Sequence, residues 1–96
     1  MNAPRFMGKR ILVGLTYLDA AGQVREQVQM HGLIDGVGDH TLVFEKSDGS
    51  GSFTIPFGGE LDAADPAAVY TLRSTGEAVT AVDFLASFTI HAPPER

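Results

Sequence analysis

An all-β fold, mainly antiparallel, is the class this chain predicts: a small barrel with a C-terminal β extension and at most one or two short helical turns. Three observations point there. Apolar and polar residues alternate along two long runs separated by Asp19-Ala20-Ala21-Gly22. Further short runs follow at close spacing, six or seven in all, with Gly-, Asp- and Ser-rich turns between them. Gly14 interrupts the first run, and an interior glycine lets a strand bend as a tightly curved barrel requires.

The first run covers residues 9–18. It places Ile11, Val13, Leu15 and Tyr17 on one face and Leu12, Gly14, Thr16 and Leu18 on the other. The turn at residues 19–22 opens with Asp and closes with Gly, which supplies positive φ. Residues 23–34 resume the alternation. Val24, Glu26, Val28 and Met30 share one face, and Arg25, Gln27, Gln29 and His31 share a polar face expected to meet water. The two runs predict a long antiparallel hairpin.

Three glycines and two aspartates between residues 32 and 40 mark a second corner. A short strand is expected at residues 41–45, a turn at 47–52, and a strand at 53–57 with Phe53, Ile55 and Phe57 on one face. Pro56 cannot donate to a ladder, so this strand is expected to end there or to lie at a sheet edge. The acidic stretch 60–65 reads as a loop. Asp65-Pro66-Ala67-Ala68-Val69 reads as one helical turn with Asp as its cap and Pro at the first helical position. A second hairpin spans residues 70–73 and 78–80, a short turn or helix occupies 82–85, and a last strand covers 86–91.

Ninety-six residues suffice for one domain with a modest core, read here as 1–96 with frayed ends at 1–8 and 92–96. The hydrophobic fraction of 44% is that of a folding chain and not a disordered one. Net charge is −5, and the second half, residues 49–96, holds two Lys/Arg against six Asp/Glu. Such a chain repels phosphate backbones, so nucleic acid is an unfavoured partner, although Arg5, Lys9 and Arg10 cluster at the front. The absence of cysteine excludes disulfide scaffolds, cysteine-ligated zinc and thiol catalysis. No apolar stretch reaches bilayer length and the first residues lack a secretory core, so no membrane association and a cytoplasmic location are expected.

No motif points to catalysis. His31, His40 and His91 lack close ligand spacing. The turns Asp35-Gly36-Val37-Gly38-Asp39 and Asp48-Gly49-Ser50-Gly51-Ser52 lack the run of acids that a calcium loop needs. Gly49-Ser50-Gly51 sits in a turn and not in a strand-to-helix elbow. Gly58-Gly59 lacks the Lys-Ser/Thr of a phosphate loop. Arg73 with Ser74 and Thr75 suggests an anion site, and a cross-strand pair of Arg73 with Glu77 is the simpler expectation. Glu26 interrupts an apolar face. If buried it is a site candidate, and a long side chain reaching water at a hairpin end is the plainer alternative. No enzyme activity, cofactor or metal is expected.

Residues 9–55 resemble the strand order of small SH3-like and Sm-like barrels. The likeness rests on a first strand carrying Gly14, a strand ending in Gly32-Leu33-Ile34-Asp35, Asp39 ahead of Thr41-Leu42-Val43-Phe44, and the turn Asp48-Gly49. His40 stands where an Sm-like RNA site would carry Asn, and the second half has no basic loop beside glycine. The phrase Tyr70-Thr71-Leu72-Arg73-Ser74-Thr75-Gly76-Glu77, followed by Asp83-Phe84 and Phe88-Thr89-Ile90, resembles a pattern of small bacterial proteins without an assigned activity. The resemblance implies a fold and carries over no functional residue.

Three functions compete on these grounds. The first is a non-catalytic protein-interaction or self-associating module, using the edge at Phe53, Ile55 and Phe57 and the polar strand face of Arg25, Gln27, Gln29 and His31. Phe6 and Phe57 are the aromatics expected to be exposed. The second is a small-molecule-binding barrel or enzyme with a pocket built from Glu26, His31 and Arg73. The third is an Sm-like RNA binder, disfavoured by the acidic charge.

Overall fold

The computed structural model describes residues 3–73 and 75–91. It is nearly all β. The elements are α1 (Ala3–Phe6), β1 (Arg10–Leu18), β2 (Val24–Val37), β3 (Thr41–Lys46), β4 (Ser52–Pro56), β5 (Asp62–Ala63), β6 (Tyr70–Thr71), β7 (Ala78–Val79) and β8 (Phe84–His91). Six strands form one sheet in the order β4-β3-β2-β1-β8-β5, and β6 and β7 form a separate two-stranded ribbon. Every pairing is antiparallel except β1 with β8, which is parallel. No helix of the described residues is long and apolar enough to cross a membrane.

The long hairpin forms as its alternation demands. Tyr17 faces Glu26 and Ile11 faces Gly32. Asp19 builds the turn: its Oδ1 accepts from the N–H groups of Ala21 and Gln23, and Gly22 takes φ of 85°. No bulge marks Gly14, since β1 pairs continuously through that residue on both sides. The register irregularities fall instead at Tyr17/Leu18 and between Ile34 and Gly36. Gly32 has its own reason to be glycine: a Cβ there would collide with the backbone carbonyl of Glu45 on β3.

The barrel does not close. Its end strands, β4 and β5, are not paired with each other. The pairing is also strongly staggered. β3 pairs only with the far part of β2, from Gly32 to Val37, so among the described residues no strand lies beside the outer edge of β2 toward the hairpin tip. Nothing in local alternation encodes the β1–β8 pairing, which joins residues more than seventy positions apart.

The main core lies on the face carrying Ile11, Val13 and Leu15. It adds Ile34, Leu42, Phe44, Ile55, Phe57, Phe84 and Phe6. Phe6, expected exposed on a frayed segment, is 0% exposed, and Phe57 and Ile55 are also buried. The Phe6 ring packs edge-on against Phe57 and tilted against Phe84, each centroid 5.2 Å away. Lys9 and Gly8 fasten this segment: the Lys9 N–H donates to Phe6, and the Gly8 N–H donates to the carbonyl of Ile34. Residues 1, 2 and 92–96, and with them most of the expected C-terminal fraying, lie outside the described residues, as does Ser74.

A smaller cluster forms on the opposite face, where Leu12, Leu72, Val79 and Val82 are buried together. The β6–β7 hairpin, expected from sequence, lies over it. The segment at Asp65 forms one hydrogen-bonded turn, capped by Asp65 as expected and not continued into a helix: Asp65 accepts from the Ala67 N–H through Oδ1 and from the Ala68 N–H through its carbonyl. Residues 82–83 form no helix. They enter β8 from Ala81, a non-glycine with φ of 57°. The acidic loop contains β5, two residues long, which sequence alternation did not reveal.

Candidate functional site

Two places gather the residues that chemistry would use. The first lies under the β6–β7 hairpin. His31 sits on β2 opposite Leu12, with its side chain only 11% exposed. Its Nε2 is 3.0 Å from Glu77 Oε2, and its Nδ1 is 3.3 Å from Arg10 Nη1. A guanidinium can only donate, so Nδ1 accepts and the proton rests on Nε2, which donates to Glu77. Arg10 Nη1 also donates to Ser47 Oγ at 3.2 Å. One chain of contacts therefore ties the turn before β7 to β2, β1 and the β3–β4 turn.

This arrangement suits fastening better than catalysis. Both ring nitrogens of His31 are engaged, so neither is free to act as a base or a ligand. Ser47 points its hydroxyl at Arg10 and not at a base. Among the described residues no group of three or more His, Cys, Asp or Glu side chains is placed to hold a metal ion. A cavity of about 200 Å³ adjoins the cluster, lined by Gln29, His31, Lys46, Leu72 and Glu77 among others.

Several expectations are corrected here. His31 is not on a water-facing strand surface, and Gln29 is half-buried beside it. The Gln29 side-chain carbonyl accepts from the Arg73 N–H at 2.6 Å, so the β6–β7 hairpin occupies that face. Arg25 and Gln27 do remain exposed. Glu77 pairs with His31 and not with Arg73. Glu26 is exposed. It lies opposite Tyr17, on the main-core face, whereas His31 and Gln29 lie on the other. A pocket combining Glu26, His31 and Arg73 therefore does not exist. Arg73 instead borders a shallow cleft with Gly14, Thr16, Gln27, Gln29 and Ser87. His40 and His91 are both exposed.

The second place is the seam where the barrel fails to close. β4 is an edge strand, as Pro56 suggested. The Phe57 N–H donates to the His40 carbonyl, and the Lys46 N–H donates to the Gly51 carbonyl. Antiparallel pairs alternate between bonded and non-bonded. Gly51, Phe53, Ile55 and Phe57 therefore bond to β3, and Ser52, Thr54 and Pro56 turn their backbone groups outward. Pro56 has no N–H to leave unsatisfied there. The side chains of Ile55 and Phe57 belong to the core, and only Phe53 of the expected trio is part-exposed.

The other side of the seam is β8. The Ala64 N–H donates to the Asp83 carbonyl, and Asp62 pairs with Leu85. By the same alternation Leu85 faces β5 and bonds to it. Ser87, Thr89 and His91 then present their backbone groups on that same side, past the end of β5, with no strand of the described residues beside them. A cavity of about 680 Å³ lies between the two edges, lined on one side by His40, Pro56 and Phe57 and on the other by residues 85–88. Leu61, Glu60 and Asp62 line it from the connecting chain. The β8 edge escaped the sequence because it exists only through the parallel β1–β8 pairing. Its one local signal is the alternation of Ala86, Phe88 and Ile90 with Ser87, Thr89 and His91.

Comparison with known proteins gives no matching family model, no matching curated protein and no matching solved structure.

Proposed function

We propose that this chain is a non-catalytic protein-interaction module that binds an extended segment of another chain by adding it as a strand. The observation that carries this reading is the pair of unpaired edges. Ser52, Thr54 and Pro56 on β4 and Ser87, Thr89 and His91 on β8 direct backbone groups away from the sheet. Free N–H and C=O groups in a row template a further strand.

Amide NMR of the chain titrated with a pool of short random-sequence peptides tests the proposal. Shifts are expected at Ser52 and Thr54 or at Ser87, Thr89 and His91. Thr54→Pro and Thr89→Pro each remove an outward N–H and leave the bonds to the neighbouring strand intact. Each is expected to abolish the shifts on its own edge. Shifts confined to other surfaces, or none at millimolar peptide, would sink the reading. A small-molecule site beneath the β6–β7 hairpin is the second reading, favoured by the cavity beside His31 and Glu77. Its signature in a small-molecule titration is a set of shifts at His31, Leu72 and Glu77.

A further inference from the structure

Resting on strand addition, we infer that the segment accepted in the seam comes from a partner protein and alternates apolar residues with Lys or Arg, lying along β8 in continuation of β5. β5 bonds to β8 only at its first residues. Upstream of Asp62 the chain swings across to β4 through Gly58 and Gly59, the latter at φ of 100°. The line that β5 would have continued therefore stays open beside Ser87, Thr89 and His91. A strand placed there points alternate side chains to opposite sides. One set meets Phe57, Leu61, Ala86 and Phe88, which line the cavity or pack on the main core. The other set meets the outer side, where Glu60 and Asp62 flank Leu61 and are exposed.

Charge selects the partner. Among the residues lining the cavity the acidic side chains are Glu60 and Asp62, with His40 at the far wall. The chain already seats one guanidinium on this rim: Arg5 Nη1 is 3.6 Å from Glu60 Oε1, and both groups are largely exposed. Asp62 has no salt-bridge partner among the described residues. A second copy of the chain fits poorly. Its β4 and β8 edges, Ser52-Phe53-Thr54-Ile55-Pro56 and Ser87-Phe88-Thr89-Ile90-His91, carry no Lys or Arg, the open β2 edge at the hairpin tip sets its one Arg25 beside Glu26, and each copy brings a net charge of −5. A basic alternating segment satisfies backbone, cavity and rim together.

Fluorescence anisotropy of a labelled Lys-Val-Lys-Val-Lys-Val-Lys peptide against the full chain tests the inference, with the Glu-Val counterpart as the comparison. The basic peptide is expected to bind about fivefold tighter or more, the worth of the one exposed charge pair that Asp62 leaves open plus relief of the acidic peptide's repulsion from the rim. The double variant Glu60→Lys/Asp62→Lys is expected to reverse that preference. Thr89→Pro is expected to abolish binding. An N-methylated basic peptide, which removes the donors and leaves the protein untouched, is expected to fail as well. Equal binding of the two peptides would overturn the charge selection and leave strand addition standing. Binding that survives N-methylation would be adsorption to an acidic surface and would overturn the inference. So would a failure of the basic peptide to bind where the random pool still shifts the edge amides. A dimer in sedimentation equilibrium whose amide shifts map to Ser87 and Thr89 would replace the partner with a second copy.

Discussion

The two faces of the β1–β2–β8 sheet are built from the same strands, yet they hold the molecule in different ways. One face closes over ten buried residues, six of them aliphatic and four of them phenylalanine. The other buries four, Leu12, Leu72, Val79 and Val82, under a ribbon two residues wide on each side. Around that smaller cluster the contacts turn polar: Glu77 to His31, Arg10 to His31 and Ser47, and the Arg73 N–H to Gln29. Apolar burial scales with area, so the first face carries most of the stability. Hydrogen bonds add less net energy but fix geometry. The second face therefore holds a small cap in register on a sheet that does not need the cap to form.

The strongest test of that division is Phe6→Ala. Phe6 is fully buried and its ring bridges Phe57 and Phe84. Its loss is expected to cost about 3–5 kcal/mol and to destabilise the whole sheet, including the seam that Phe57 borders. Urea unfolding followed by amide exchange would read it. A loss confined to residues 3–9 would show instead that α1 is an accessory of the core.

Leu72→Ala is expected to cost less, about 2–3 kcal/mol, because its cluster is small and collapses easily. The effect is also expected to be local. Exchange protection is expected to fall at β6, β7 and Val82 while β1 to β3 keep theirs. Equal loss across the sheet would break the comparison and make the two faces one cooperative unit.

The difference between the faces also explains what the sequence made legible. The hairpin of β1 and β2, the turn at Asp19, the edge position of β4 and the β6–β7 hairpin all follow from alternation and turn chemistry within a few residues. The parallel β1–β8 pairing, the two-residue β5 and the burial of Phe6 do not, because each depends on residues brought together from distant parts of the chain. The candidate sites divide in the same way. The β4 edge was readable through Pro56. The inward side chains of Ile55 and Phe57 are not legible in the same way, because one edge strand can present its backbone outward and its side chains inward. His31 read as a surface residue because its neighbours Gln27 and Gln29 are polar. Its cover, Glu77, lies 46 residues away.

The polar fastening of the cap is expected to be worth little by itself. Glu77 is about half exposed, so its bond to His31 is screened. A double-mutant cycle of His31→Gln and Glu77→Gln is expected to give a coupling of about 0.5–1 kcal/mol. It is also expected to loosen exchange at residues 72–79 and nowhere else. A coupling several times larger would mean that the network, and not Leu72 and Val79, holds the cap.

The smallest expected effect lies away from both faces, in the β3–β4 turn, and sets the baseline for purely local polar chemistry. Asp48 Oδ1 accepts the Ser50 O–H at 2.6 Å and the Ser50 N–H at 2.8 Å. These bonds, the hydroxyl's first, hold its carboxyl below the ordinary aspartate value, with Lys46 helping through its charge. A carboxyl depressed in the folded state stabilises above the unfolded value, about 3.9, and that contribution disappears as pH falls through the lower folded value. Asp48 is fully open to solvent, so the change is expected to appear in the turn and not in the melting of the sheet. Ser50→Ala is expected to move the Asp48 titration, followed by carboxyl NMR, upward toward the ordinary range. If the seam amides of Ser52 and Thr54 titrate together with Asp48, the turn governs the order of the β4 edge. If they do not, that edge is held by its pairing with β3 alone, and its readiness to accept a strand is independent of the acid beside it.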